Sequence, residues 1–249
     1  VTAPSASRRR AAILAEIEAR GFVTLEALAE SFSVSMQTVR RDVIALQAKG
    51  LIERFHGGAG ARGRIDFNRL EHTAKRALKI EEKAEIARQA VARLEAGSFV
   101  YIDVGTTMEA VAAALDASLR LTVITNSLHV AARIDPGQHD IRLLPGRVGG
   151  ADGSLVGEDT VLALRAMRLD MALIGCSAVE PDGHVMDFDP GKIAIKRTAM
   201  SVARSSLLLA TRDKFARFAR LELAHRTDFA AVLTEAGCSS ESDCSSDAV

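Results

Sequence analysis

The 249-residue chain is 48% apolar, enough for two domains with sizeable cores, and no apolar run nears the roughly 20 residues of a membrane-spanning helix. Its 32 basic and 32 acidic residues cancel, but residues 1–64 hold ten Lys/Arg against six Asp/Glu, so an anionic partner is expected for the first part alone. Three cysteines, Cys176 in an apolar run and Cys238 and Cys244 in a polar tail, exclude a disulfide framework, and no metal site or cofactor is expected.

Residues 9–20 carry Ile13, Leu14 and Ile17 at helical spacing, and Gly21 stops the helix. Thr24 is an N-cap for a short helix to residue 32, with Leu25 and Leu28 facing inward. Ser33 and Val34 turn the chain. Ser35 caps a third helix whose apolar stripe is Val39, Val43 and Leu46, and Gly50 ends it. Residues 51–55 read as a strand and Gly57-Gly58 as a sharp turn. The basic cluster Arg8, Arg9 and Arg10 has no long apolar segment behind it, so no secretory signal is read and the cytoplasm is the expected compartment.

Three helices with a tight turn before the last, then a hairpin, form a winged helix-turn-helix, and the expected domain is 6–59. The start of the third helix would enter the major groove. Ser35, Gln37, Thr38, Arg40 and Arg41 have the donors and acceptors that base edges and phosphates need. Arg54 and His56 on the wing would reach phosphates or the minor groove, with Gly57 and Gly58 allowing close backbone approach. Asp42 is acidic in this helix and is expected to orient an arginine through a salt bridge. A small helical domain with a solvated arginine face is the plainer alternative.

The run V-S-x-x-T-V-R-R-D from Val34 to Asp42, followed by R-x-H-G-G-A from Arg54 to Ala59, resembles the helix-turn-helix signature of the DeoR family of bacterial regulators. The resemblance implies that the DNA-contacting stretch falls on residues 23–42. It also implies that the protein is a repressor of a carbohydrate or polyol operon.

Residues 60–73 are rich in Gly, Ala and Arg at their start and read as a linker. A long helix over 74–94 is expected next. Strands at 99–104, 121–125, 141–144, 171–174, 206–210 and 229–233 then alternate with helices at 107–115, 127–133, 159–167 and 192–204. Such alternation means an α/β domain over 74–236 with a mostly parallel sheet covered on both faces. The polar segment 237–249 is read as a disordered tail.

Several turns fall where a strand meets a helix. Asp103, Gly105, Thr106 and Thr107 form D-V-G-T-T, whose free N–H groups and hydroxyls suit an anion, though Thr is also an ordinary cap. Asn126 and Ser127 belong to T-N-S, which has the same two readings. Arg147 lies in a glycine-rich loop over 143–157. D-F-D-P-G-K runs from Asp187 to Lys192, with Lys196 one turn later and Lys214 beyond the next strand. Open α/β sheets bind ligands at the carboxyl ends of their strands, where these turns would converge.

This part is similar to the DeoR C-terminal sensor domain, a fold resembling ribose-5-phosphate isomerase, which implies a phosphorylated sugar or polyol effector. The chain departs from the family pattern at Pro145-Gly146, where paired glycines are usual, and at Thr211, where an aspartate is usual before the retained Lys214. Two other functions fit the residues. An isomerase with a DNA-binding appendage would draw on Asp103, Asp187 and Asp189, and a C-terminal part that only oligomerises would need no effector. Palindromic half-sites call for a two-fold partner, so a dimer or tetramer is expected, with double-stranded operator DNA and no membrane as surroundings.

Overall fold

The computed structural model describes residues 6–20, 22–55, 58–61, 72–150 and 152–240, and the chain divides into two compact units at Ile80/Glu81. His56, Gly57, most of the expected linker and residues 241–249 lie outside the described residues.

The first unit contains α1 (Ala6–Arg20), β1 (Phe22–Thr24), α2 (Leu25–Ser31), α3 (Met36–Ala48), β2 (Ile52–Phe55), β3 (Gly58–Ala61) and α4 (His72–Ala77). Local chemistry sets the helix starts. Thr24 accepts from the Ala27 N–H at 3.1 Å, and Ser35 Oγ accepts from the Thr38 N–H at 3.2 Å, each satisfying an otherwise orphaned donor. Ile13, Ile17, Leu28, Val39, Val43 and Ile52 form the core. The wing is larger than the expected hairpin. Strand β3 pairs antiparallel with both β2 and β1, giving the order β1-β3-β2.

The second unit begins with a correction. The single helix expected over 74–94 is two helices, α4 and α5 (Ile80–Val91), broken at Leu78-Lys79, where Lys79 takes a left-handed φ of 55°. The apolar period runs through the break, so the pattern does not betray it. The chain continues through β4 (Phe99–Ile102), α6 (Thr106–Ala113), β5 (Thr122–Thr125), α7 (Leu128–Ala131) and β6 (Asp140–Leu143). The glycine-rich segment expected as a loop is a hairpin of β7 (Arg147–Gly149) and β8 (Ser154–Val156). Then follow α8 (Glu158–Arg165), β9 (Leu169–Gly175), β10 (Ala178–Val179), β11 (His184–Asp187), α9 (Pro190–Val202), β12 (Ala203–Leu209), β13 (Leu221–His225), β14 (Ala231–Thr234) and β15 (Gly237–Ser240). The last strand is a second correction. Gly237–Ser240, expected within a disordered tail, pairs antiparallel with β14 as an edge strand.

The main sheet has the order β15-β14-β12-β9-β4-β5-β6 and is parallel apart from β15. Alternation along each strand builds two cores. Val100, Ile102, Val123, Leu173, Leu207 and Leu209 face one side, with Ile86, Met108 and Val130 of α5, α6 and α7. Tyr101, Ile124, Ala172, Ile174 and Leu208 face the other, with Leu164 of α8 and Ile193 and Ile195 of α9. From β4 the chain first adds strands on one side, then returns to add β9 on the other. The switch point therefore lies between the carboxyl ends of β4 and β9. No helix among the described residues is long and apolar enough to cross a membrane.

Candidate functional site

In the first unit, α3 buries Val39, Asp42, Val43 and Leu46 and turns Gln37, Arg40, Arg41 and Ile44 to solvent at helical spacing. Four of the DNA-reading candidates thus share the exposed start of this helix: Ser35, Gln37, Arg40 and Arg41. Thr38 is half-buried, its hydroxyl 2.9 Å from that of Ser35. Arg54 stands on β2 opposite Ala59, and Gly58 opposite Phe55 at the start of β3. Ile44, 47% exposed, was missed by the sequence reading, since an apolar residue outside the stripe carries no signal of its own.

Asp42 is 4% exposed and receives two guanidinium groups from α1: Arg9 Nε donates at 2.6 Å and Arg10 Nε at 3.1 Å. The arginine partner expected for Asp42 is therefore supplied by the basic cluster, and the ion pairs bind α1 to the back of α3.

In the second unit, a buried charged cluster lies at the switch point, where a ligand cleft is expected in such sheets. Lys196 of α9 is 4% exposed and donates to Asp187 Oδ2 at 2.6 Å and to the Gly175 carbonyl at 2.8 Å, with Asp103 Oδ2 3.2 Å away. Asp103 also accepts from the Gly175 N–H at 3.0 Å, across the β4–β9 gap. Ser177 Oγ donates to Asp187 Oδ1 at 2.7 Å. Burial opposes ionisation of Asp187, but the Lys196 ammonium and the hydrogen bonds from Lys196, Ser177 and the Phe188 N–H outweigh it and hold its pKa at about 2. Burial likewise opposes the charge of Lys196, and Asp103 and Asp187 reverse that and raise its pKa above the ordinary lysine value. Asp103 is pushed up by burial, which Lys196 only partly offsets because Asp187 shares the same cation.

Beside this cluster, Tyr101 Oη donates to Asn126 Oδ1 at 2.8 Å, and Asn126 Nδ2 donates to the Leu155 carbonyl at 2.9 Å. Asn126 thus clamps β8 to the end of β5. Ser127 acts as the cap of α7, its Oγ accepting from the Val130 N–H at 3.2 Å. The β7–β8 hairpin is further latched to α9 by an ion pair between Asp152 and Lys192.

Gly105, Thr106 and Thr107, all half-buried, stand at the start of α6, just after the carboxyl end of β4. Gly105 has φ of 113°, which disfavours any side chain, and a Cβ there would meet nothing within 4 Å. Its helix has no side-chain cap, and an anion at such a start suits the helix dipole. Lys214, half-buried in the turn after β12, donates to the Cys176 carbonyl at 3.0 Å at the end of β9.

The structure therefore brings together Asp103, Lys196, Asn126 and Lys214 around the carboxyl edge, with Gly105, Thr106 and Thr107 at its rim. Arg147 is exposed on β7, where it pairs with Val156 of β8. Tyr101 was not singled out from the sequence. It is the single tyrosine of the chain, a signal that says nothing of place.

Comparison with known proteins is consistent along the chain. A family model described as DeoR-like helix-turn-helix domain matches residues 9–63, and one described as DeoR C terminal sensor domain matches residues 78–236. The glycerol-3-phosphate regulon repressor of Escherichia coli (strain K12) is 36% identical over 232 residues, covering 92% of this chain and 91% of that one. The protein of the same description from Haemophilus influenzae is 32% identical over 222 residues, covering 89% and 86%. Among solved structures, ribose 5-phosphate isomerase A of Methanocaldococcus jannaschii aligns over 53% of each chain at 16% identity and a TM-score of 0.39.

Proposed function

Because this chain belongs to the DeoR family of bacterial transcriptional regulators, we propose that it represses a carbohydrate or polyol operon and is controlled by a phosphorylated sugar or polyol bound in the switch-point cleft. Residues 6–59 are the DNA-reading part, and the sensor runs from residue 74 into the edge strand β15. The observation that carries the reading is the buried Lys196–Asp103–Asp187 cluster at the carboxyl ends of β4 and β9, three residues before the start of α6, which has no side-chain cap. The N–H groups and Lys214 suit a phosphate, and Asp103 suits sugar hydroxyls.

Two of these residues, Lys196 and Asp187, fit catalysis poorly. General acid–base chemistry needs a group poised near the working pH. Lys196 is instead held charged and Asp187 held ionised, with a pKa of about 2. The chain acts as a cytoplasmic homo-oligomer in this reading, because a two-fold protein matches a two-fold operator.

The test is thermal unfolding of the whole protein with glycerol 3-phosphate first, given the names of two relatives, then other phosphorylated sugars and polyols with unphosphorylated controls. At about 100 times its dissociation constant the effector stabilises by roughly 2.7 kcal/mol, on the order of 5–10 °C here. It also changes operator affinity by gel shift. Equal shifts with phosphorylated and unphosphorylated compounds, or none with either, refute the phosphate-sensor reading.

A further inference from the structure

Ile44 is the odd side chain on the exposed face of α3. It is 47% exposed, while its neighbours on that face are polar or charged. Among the described residues of the first unit, the other exposed large apolar side chains, Leu51 and Ile80, lie outside this helix. At about 100° per residue, Ile44 lies only about 20° from Gln37 around the helix axis, with Arg40 about 40° to one side of it and Arg41 about 60° to the other. The buried stripe of Val39, Asp42, Val43 and Leu46 is centred on the opposite side. Ile44 is therefore not the margin of the core spilling into solvent. It stands in the middle of the arc that carries the base-reading candidates, between two guanidinium groups. Those charges, in a segment with ten basic residues against six acidic ones, fit a phosphate backbone on either side of the isoleucine. Double-stranded DNA offers a helix in its major groove one apolar group, the C5 methyl of thymine. Contact between that methyl and an exposed isoleucine removes both from water.

We propose that Ile44 is a specificity-determining residue that reads thymine, its side chain packed against the C5 methyl in the operator's major groove while Arg40 and Arg41 hold phosphates or guanines beside it. This inference rests on the reading of α3 as the DNA-contacting helix and adds a base identity to it. Phosphate contacts carry no such information, because every nucleotide has the same backbone. The methyl separates thymine from cytosine, and a T·A pair from an A·T pair. Gln37 and Ile44 lie seven residues apart along one line of the helix, about 10 Å at 1.5 Å per residue, or about three base-pair steps of 3.4 Å. The thymine is therefore expected within about three base pairs of the base that Gln37 reaches.

The probe is a duplex selected from random double-stranded DNA by the whole protein, then resynthesised with deoxyuridine in place of one thymine at a time. Uracil pairs with adenine as thymine does and lacks only the methyl. Fluorescence anisotropy at fixed salt compares wild type with Ile44→Ala and Ile44→Val, whose folding is checked by their thermal transitions. At one position per half-site, loss of the methyl is expected to weaken wild-type binding about fourfold, the worth of one buried carbon group. Ile44→Ala is expected to bind the thymine duplex about fourfold more weakly or worse and to respond no further to uracil at that position. Ile44→Val keeps most of the response. This coupling between residue and methyl is a readout that a general loss of affinity does not move. If no methyl matters to wild type, or if Ile44→Ala responds to its loss as strongly as wild type does, this inference alone is overturned. A wild type that enriches no sequence, or one whose selected sequence survives both Gln37→Ala and Arg40→Ala unchanged, overturns the DNA-reading role of α3 and this inference with it.

Discussion

Replacing Lys196 by Met tests the buried charged cluster directly. The substitution keeps the bulk of the side chain and removes its charge. Lys196 is the cation that Asp103 and Asp187 share, at 3.2 and 2.6 Å, and it also donates to the Gly175 carbonyl. Both carboxylates are buried, so no water replaces it. Removing one partner of a buried pair costs about 3–5 kcal/mol, much of it from the charge left behind. The pH dependence carries a further signature. In wild type the Asp187 pKa is depressed to about 2, so its contribution of roughly 2.6 kcal/mol is present above the unfolded value near 3.9 and is lost as pH falls toward 2. In Lys196→Met the sign reverses. Asp187 then has a raised pKa, and the variant regains stability as pH falls from 7 to 5, where wild-type Asp187 contributes no change. Asp103, already raised by burial, loses the offset that Lys196 supplies and moves further up, so it adds to the difference in the same direction. Urea unfolding followed by circular dichroism at pH 7 and pH 5 measures this. A variant within 1 kcal/mol of wild type at pH 7 (the low end of measured single-substitution effects), or one whose deficit does not shrink at pH 5, refutes the account of a dry three-charge cluster.

Asp42→Ala leaves two guanidinium groups facing an empty corner and is expected to destabilise the first unit by about 3 kcal/mol. Calorimetry should show the small-unit transition moving down, with operator binding reduced although Asp42 is turned away from the exposed face. Arg40→Ala or Arg41→Ala should cost roughly 1–3 kcal/mol of operator affinity at fixed salt. Fluorescence anisotropy over a salt series separates a base contact, lost for one sequence, from a phosphate contact, which lowers the salt slope by about one.

What the sequence revealed followed the reach of local chemistry. Thr24 and Ser35 announce helix starts because a cap acts over three residues, and strands with buried faces announce themselves by apolar runs. The three-residue strand β1 is too short for alternation to register. The small sheet of β10, β11 and β13 is similarly hidden, since its strands are brief and polar-edged. The helix break at Lys79 is set by one backbone angle inside an unbroken apolar period. In the cleft, Asp103 and the Gly105 turn are legible as a strand-to-helix junction. Their meeting with Lys196 and Asp187 is not, because it depends on which strands become neighbours.

The lone tyrosine has a practical consequence. The chain has no tryptophan, and its one tyrosine, Tyr101, stands at the switch point with its hydroxyl bonded to Asn126 and 3.4 Å from Asp103 Oδ1. Emission excited in the phenol band, beyond the absorption of phenylalanine, therefore originates at one buried ring in the sensor, and none of it from the DNA-reading unit. Phenol emission is quenched by a neighbouring carboxylate that can accept its proton, so a rearrangement of Asp103 changes its brightness. The protein carries its own optical gauge of the cleft, readable while the operator is bound or free.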